Sequence, residues 1–523
     1  MLQILNGLQG TEDRFLIEWF ILLLIGLLVL FTAVIFLLFR SKLKLHQIYF
    51  VTVFWMGLMF MTVLPPLSAP DEVLHFVGAY ELSDKLMLTQ SRDSDGNVII
   101  RKEDEFIVDW PGDDDWNRAT VLGQTLDRSV YREIHRYGLF TSRENGDGIT
   151  LQQPVATTPI AYLMPALGIT LARVLNFGAI GLLYAGRLMN LLMFSILGSM
   201  AVRRTPVGKK IFFAVSLFPM TLELAGSYSY DSFIIALGFY LTAVILSHAM
   251  KSKETKIGIG DIVEMGVLAV LLSPCKMIYA TLFALCLMIP VSRWKKPSVL
   301  RWGVTVLIIG ALIVGSIVLV NLREVLRYVN VSGVTNAPEL TSSGEVNTVK
   351  LHDLQELIKD KTLIIRIIRN TFQILGKEYL GTTVGMWLGA FDRGLTTGSE
   401  LIAGFWSIAL IEALLGRDDC RAPEWWKRVL MAVVSVLLSF VLFTSMLLSY
   451  TPADTFYILG VQGRYFLPYL PVILMTLRSE RLDRITAKTG WTEPFTRILL
   501  AFELAMSGMV ITGCFLTVVS RSV

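Results

Sequence analysis

Between Phe15 and Phe39 the chain runs for 25 residues with one charged side chain, Glu18. About 20 predominantly apolar residues suffice to carry an α-helix across a hydrocarbon core about 30 Å thick. The run is too long for the core of a signal peptide, and no small-residue cleavage site follows it. It reads as a membrane span, the first of many. Apolar blocks recur along the 523-residue chain, which is 54% hydrophobic and 17% charged. A soluble protein carries about 25% charged residues, so a soluble enzyme, a disordered chain and a disulfide scaffold are excluded. The blocks lack the alternation of barrel strands, and lipid accepts only helices or closed barrels. The expected fold is an all-α polytopic membrane protein.

Basic stretches between the blocks set the orientation, because lysine and arginine concentrate in cytoplasmic loops. Arg40, Lys42 and Lys44 follow the first span. Later turns are marked by Arg203 to Lys210, Lys251 to Lys256, Arg293 to Lys296, Arg417 to Arg428 and Arg478 to Lys488. Twelve spans (range 11–13) fit: 15–39, 47–64, 178–202, 211–227, 231–250, 257–274, 277–292, 299–321, 400–416, 429–450, 465–477 and 495–519. Residues 1–45 hold an extra N-terminal span, and 46–66 lead outward. The outer face then receives 67–177 and, after the helices of 178–321, the segment 322–399. A further outer loop, 451–464, lies within the C-terminal spans of 400–523. Segments 155–175 and 361–390 are expected as interfacial helices. Residues 67–154 hold 17 acidic and 9 basic side chains, 9 − 17 = −8, against +4 overall, leaving 4 + 8 = +12 for the rest. That charge is scattered over short loops, so no nucleic-acid partner is implied. The basic loops assign the cytoplasm, and function is sought on the outer face.

Five stretches there carry ionisable groups at span ends. In Pro65-Pro66-Leu67-Ser68-Ala69-Pro70-Asp71-Glu72-Val73-Leu74-His75, prolines fix the chain as it leaves a span. Asp71 and His75 are four apart and share a helix face. A carboxylate held there suits a general base, and Asp71 with Glu72 suits a divalent cation. The plainer alternative is that Asp71 only caps the next helix. Tyr230-Asp231 offers a second carboxylate, again either a cap or a polar-substrate contact. Lys276, a lone cation between apolar blocks, suits a phosphate or snorkels to headgroups; Tyr279 follows it. In Gly460-Val461-Gln462-Gly463-Arg464-Tyr465-Phe466, glycines allow close backbone approach and Arg464 suits bidentate phosphate binding, or else pairs with headgroups. Tyr465 and Phe466 suit a sugar ring or an isoprenoid chain. Asp392-Arg393 is either a substrate contact or a surface ion pair of little worth.

Asp113-Asp114-Asp115 reads as a solvated acidic loop, and the sequon at Asn330 carries no weight. Cys275, Cys286, Cys420 and Cys514 form no CxxC pair, so sulfur ligation of a metal is not expected. Phosphate-binding glycine loops, HExxH and Gly-x-Ser-x-Gly are absent, as is any internal repeat.

In order and spacing, Pro70-Asp71-Glu72-Val73-Leu74-His75, Tyr80, Ser83, Tyr184-Ala185-Gly186-Arg187-Leu188-Met189-Asn190, Tyr230-Asp231-Ser232, Cys275-Lys276 to Tyr279 and Val461 to Pro468 resemble the signature of the DUF2142 membrane proteins over about residues 60–475. That family is similar to the GT-C glycosyltransferases, which use polyprenyl-phosphate sugars on the outer membrane face. The resemblance implies a GT-C-like bundle in a bacterial plasma membrane, with Asp71 as base and Glu72 as its partner or metal ligand (Mg2+ or Mn2+, if one is used). It also implies that Lys276 and Arg464, with Gln462 and Tyr279 beside them, bind donor phosphate. The sequence departs from the family at Asp392-Arg393-Gly394, where a pair closer to Asp-Thr is expected. The leading expectation is an enzyme moving a sugar from undecaprenyl phosphate to a cell-envelope polysaccharide, teichoic acid or glycolipid, with inversion. Alternatives are a polymerase or ligase of lipid-linked repeat units and a flippase for lipid-linked saccharides.

Overall fold

The computed structural model describes residues 2–9, 11–108, 120–121, 124–140, 146–155, 157–250, 256–293, 299–320, 336–340, 346–389, 392–416 and 422–521. Asp113-Asp114-Asp115, Asn330, Cys420 and several turn cations (Lys251, Lys253, Lys295, Lys296, Arg417, Arg421) lie outside these residues. Six described helices have the length and apolarity to cross a membrane: Glu12–Phe39, Leu45–Val63, Ala179–Arg204, Asp231–Met250, Trp425–Ser449 and Thr492–Ser520. The chain is a mostly helical, polytopic membrane protein, as expected. Its described strands form small two-stranded antiparallel sheets, such as Val98–Arg101 on Asp147–Thr150 and Trp387–Leu388 on Asp392–Thr396.

Of the other expected spans, 299–321 and 400–416 form continuous helices, Val299–Val320 and Ser399–Leu415, while the remaining four take shorter or interrupted forms, so twelve full-length spans are not seen among the described residues. Residues 211–227 form two helices, Lys209–Leu217 and Pro219–Ala225. Pro219 forces the break: the residue before a proline is pushed from helical to extended backbone, and Phe218 sits at φ −59°, ψ 133°. Residues 257–274 give Ile259–Leu272, a helix of 14 residues. Residues 277–292 wind as a 3-10 helix, Met277–Met288. At a rise of about 2.0 Å per residue those 12 residues reach roughly 24 Å, where an α-helix of equal length would reach roughly 18 Å. Residues 465–477 split into Gly463–Tyr469 and Leu470–Met475. Hydropathy reports that these segments are apolar; it does not report their winding.

The Asp231–Met250 helix is the centre of the bundle, with 89% of its apolar window buried by protein. For Glu12–Phe39 the figure is 22%, and Leu22, Leu28 and Phe36 stand exposed on it, so this helix turns most of its surface to lipid. Between apolar helices in lipid, close packing and polar contacts replace the hydrophobic drive. Gly57 shows this: any side chain there would collide with Leu191 on the neighbouring Ala179–Arg204 helix. Tyr49 adds a buried hydroxyl contact to Ser216 at 2.8 Å. The Leu163–Val174 helix packs along Ala179–Arg204 and Glu72–Leu86, and Lys361–Val384 forms in the segment 361–390.

Candidate functional site

The Leu45–Val63 helix ends before Pro65-Pro66, and the chain turns sharply to begin Glu72–Leu86. Asp71 occupies the turn in the left-handed region, φ 57°, ψ 17°. Aspartate tolerates this region better than most residues, because its short side chain bonds locally. Here the carboxylate makes no cap hydrogen bond. It reaches out instead to the Arg464 guanidinium, 3.1 Å away across 393 residues of sequence. The simple capping role is therefore not what the structure records for Asp71.

Arg464 also lies 3.4 Å from the Asp231 carboxylate, whose other oxygen faces the Lys276 ammonium at 3.8 Å. Arg464 and Asp231 are 4% and 8% exposed, Lys276 is 17% exposed, and Asp71 is 56% exposed. Two cations and two anions from four distant segments thus form one alternating chain, with one carboxylate at its open end. Lys276 does not snorkel away; its ammonium sits 3.7 Å from the centre of the Tyr465 ring and 5.6 Å from that of Tyr230, within cation–π range. Burial works most strongly against the Lys276 charge, but the Asp231 carboxylate together with the Tyr230 and Tyr465 side chains outweighs it, so the ammonium holds its proton more tightly than a free lysine.

His75 lies one helical turn beyond Asp71. Its ring packs edge-on to Tyr230 at 4.8 Å, and its Nδ1 is 2.8 Å from the Tyr162 hydroxyl. Burial pushes its imidazole down to about 4, against the pull of Asp231 and Asp71. It is neutral at pH 7 and serves the cluster as a hydrogen-bonding wall.

Glu72 does not join Asp71. Its carboxylate is buried and committed: Oε1 pairs with Arg187 at 3.1 Å and accepts the Tyr228 N–H at 2.9 Å, and Oε2 accepts the Ala69 N–H at 2.9 Å. The expected two-carboxylate metal site is therefore not formed by this pair. The positive charge beside Asp71 and Asp231 comes from Arg464 and Lys276.

Arg187 and Asn190, three apart on one helix, explain how the two loops are held. Arg187 donates to the Leu64 carbonyl at 2.9 Å and pairs with Glu72, which fixes the turn carrying Asp71. Asn190 donates to the Ser227 carbonyl at 2.6 Å, which fixes the loop before Asp231. Sequence reading gave these residues no role of their own, although an arginine inside an apolar run is a signal in itself.

The loop bearing Arg464 is locked from behind. Thr382 Oγ1 accepts the Gly463 N–H at 3.0 Å, Thr383 donates to the Gly463 carbonyl at 3.1 Å, and a side chain at position 463 would strike their backbone. The Tyr279 hydroxyl donates to the Tyr465 carbonyl at 2.9 Å, so Tyr279 holds the loop and does not present that hydroxyl to a phosphate. The Gln462 amide oxygen is buried and finds no hydrogen-bond partner among the described residues. Asp392 and Arg393 stand apart from the cluster. Asp392 pairs with Arg521 at 3.0 Å, anchoring the end of the C-terminal helix, and Arg393 lies 5.6 Å from the Trp387 ring centre. Next to the Arg464 loop, an apolar cavity of about 460 Å3 opens between Lys361–Val384 and Trp425–Ser449, lined by Phe372, Phe440, Phe443, Ile458 and Ile473. Phe443 and Ile458 pack in the same buried group as Tyr465.

Helices of membrane length converging on a buried ionic cluster define a polytopic membrane protein with a polar site at its helix ends. The chain belongs to the family described as "Predicted membrane protein (DUF2142)", whose model matches residues 54–473. The Glu12–Phe39 and Thr492–Ser520 helices lie outside the matched region. No curated protein and no solved structure matches the chain.

Proposed function

We propose that this protein is a membrane glycosyltransferase that moves a sugar from a polyprenyl (undecaprenyl) phosphate to a hydroxyl of a cell-envelope polysaccharide, teichoic acid or glycolipid. The bundle would be GT-C-like, with the short and broken segments completing about twelve crossings and the site on the outer face. The observation that carries the reading is the alternating chain Asp71–Arg464–Asp231–Lys276 with its single half-exposed carboxylate. The apolar cavity beside Tyr465 adds support, because a lipid phosphate brings an anion and a hydrocarbon chain together.

In this reading the donor phosphate takes Arg464 and Lys276 as partners. Asp71 then loses part of its ion pair, which makes it more basic. The acceptor oxygen attacks the anomeric carbon, its proton passes to Asp71, and the carbon–oxygen bond to phosphate breaks with the electron pair. The departing polyprenyl phosphate is stabilised by the two cations, and a single displacement inverts the centre. Tyr230 and Tyr465 supply faces for the sugar. In this reading the two cations meet the phosphate charge, and Glu72, spent on Arg187 and backbone N–H groups, is not offered to a metal beside Asp71.

The test follows labelled sugar from undecaprenyl-phosphate donors to an envelope acceptor, with purified wild type and Asp71→Asn. Transfer by wild type and its loss in a folded Asp71→Asn supports the enzyme and its base. Equal transfer by both removes Asp71 from the chemistry. Movement of an unaltered lipid-linked saccharide across a vesicle membrane, without donor consumption, replaces the enzyme with a flippase.

A further inference from the structure

The opposite end of the bundle holds a polar cavity. It has a volume of about 780 Å3 and lies where the turn before Leu45–Val63, the end of Ala179–Arg204 and the starts of Lys209–Leu217 and Thr492–Ser520 meet. Lys44, Arg203, Lys209, Lys210 and Arg497 line it, with Glu493 and His46; two leucines and a valine also contribute. Among the described lining residues five cations meet one carboxylate, a net of 5 − 1 = +4. That carboxylate is already shared, since Glu493 contacts Lys210 at 2.5 Å and Arg497 at 2.9 Å. Lys210 is 4% exposed and also bonds Thr496 Oγ1 at 2.5 Å. The preference of basic residues for cytoplasmic loops accounts for their number. It does not account for a walled cavity that gathers them around a single, doubly used carboxylate.

We infer that this cavity binds the phosphate group of an anionic membrane lipid. Three helices of membrane length end at its rim beside the short Lys209–Leu217 helix, which fits headgroup depth, and its apolar residues offer contact for the first methylenes of an acyl chain. Basic pockets between membrane helices suit such headgroups. The site is separate from the Asp71 cluster: the 19-residue Leu45–Val63 helix puts roughly 28 Å between its two ends. It also falls partly outside the family's matched region, because Lys44, Glu493 and Arg497 lie beyond residues 54–473. The inference therefore stands whether or not the glycosyltransferase reading does.

The test uses the full chain in an uncharged detergent, with radiolabelled dioctanoyl phosphatidylglycerol as probe. Dioctanoyl phosphatidylcholine and inorganic phosphate serve as competitors. Saturable binding that phosphatidylcholine does not displace is expected, weakened at least about tenfold by Lys44→Gln with Arg203→Gln. The charge-keeping pair Lys44→Arg with Arg203→Lys should bind like wild type, which separates lost charge from lost folding. Binding unchanged in the glutamine pair overturns the assignment. Displacement by inorganic phosphate at the same concentration as by unlabelled phosphatidylglycerol overturns the lipid as the source and assigns the cavity to a soluble phosphate.

Discussion

Asp71→Asn and Asp231→Asn each remove one negative charge from the same cluster, and the structure separates their effects. Asp231 is 8% exposed and faces Arg464 and Lys276, themselves 4% and 17% exposed. Removing one partner of a buried pair leaves an uncompensated charge and costs about 3–5 kcal/mol. Arg464 keeps Asp71, and Lys276 keeps the Tyr465 ring, so the low end, about 3 kcal/mol, is expected for Asp231→Asn. Asp71 is 56% exposed and has one ion pair; a pair with one partner so open to water is worth about 0–1 kcal/mol. Thermal unfolding in detergent, followed by the fluorescence of the 11 tryptophans, is to be read beside sugar transfer. Asp71→Asn should melt with the wild type and slow transfer about 10²–10⁴-fold, the usual worth of a general base. Asp231→Asn should melt early. If Asp71→Asn destabilises as much as Asp231→Asn, Asp71 is a structural ion-pair partner and the distinction drawn from exposure is wrong. If Asp231→Asn melts with the wild type, the cluster is not a buried charge network.

Glu72→Gln leaves Arg187 buried without its counter-charge, so a loss of about 3–5 kcal/mol is expected; a wild-type melting curve for this variant would contradict the proposed clamp. His75 titrates at about 4 in the folded protein against an ordinary 6.5. Between those values the unfolded chain binds a proton that the folded one refuses, so stability falls as pH drops from about 6.5 to about 4, by about 3 kcal/mol in full. Melting midpoints across that range should fall less steeply in His75→Gln, and an equal slope would place the effect elsewhere. Transfer should survive EDTA, because Glu72 is not available to share an ion with Asp71; abolition by EDTA, restored by Mg2+ or Mn2+, would require a metal bound by other residues.

The candidate residues that the structure brings together are those whose position alone is costly. Asp71, Asp231, Lys276 and Arg464 stand at the ends of apolar blocks, and the structure brings all four together. Their partners were not legible, because pairing across hundreds of residues leaves no local trace. In sequence Glu72 reads as a partner or co-ligand of Asp71 because the two carboxylates are adjacent; the left-handed backbone at Asp71, which sends the two side chains to different partners, does not show there. Tyr279 and Asp392 share the span-end positions of the cluster residues, and only the contacts separate scaffold from site. In the fold, the long spans were legible from length and apolarity. The 3-10 winding of Met277–Met288 was not, since composition does not choose between windings.

Arg464 is separated from Asp71 by 393 positions, and that order has a consequence for biosynthesis. The Glu72–Arg187 clamp becomes possible once the Ala179–Arg204 helix has left the ribosome. At ~5–20 residues per second, the roughly 280 residues from Arg187 to Arg464 take on the order of 15–55 s more. Once residue 231 has been made, and until residue 464 is, Asp71 and Asp231 are both present and Arg464 is not, so for that part of the interval the nascent chain carries the two carboxylates with no guanidinium between them. A chain interrupted between positions 231 and 464 keeps that unfinished face, with two carboxylates at the helix ends and no arginine to pair them.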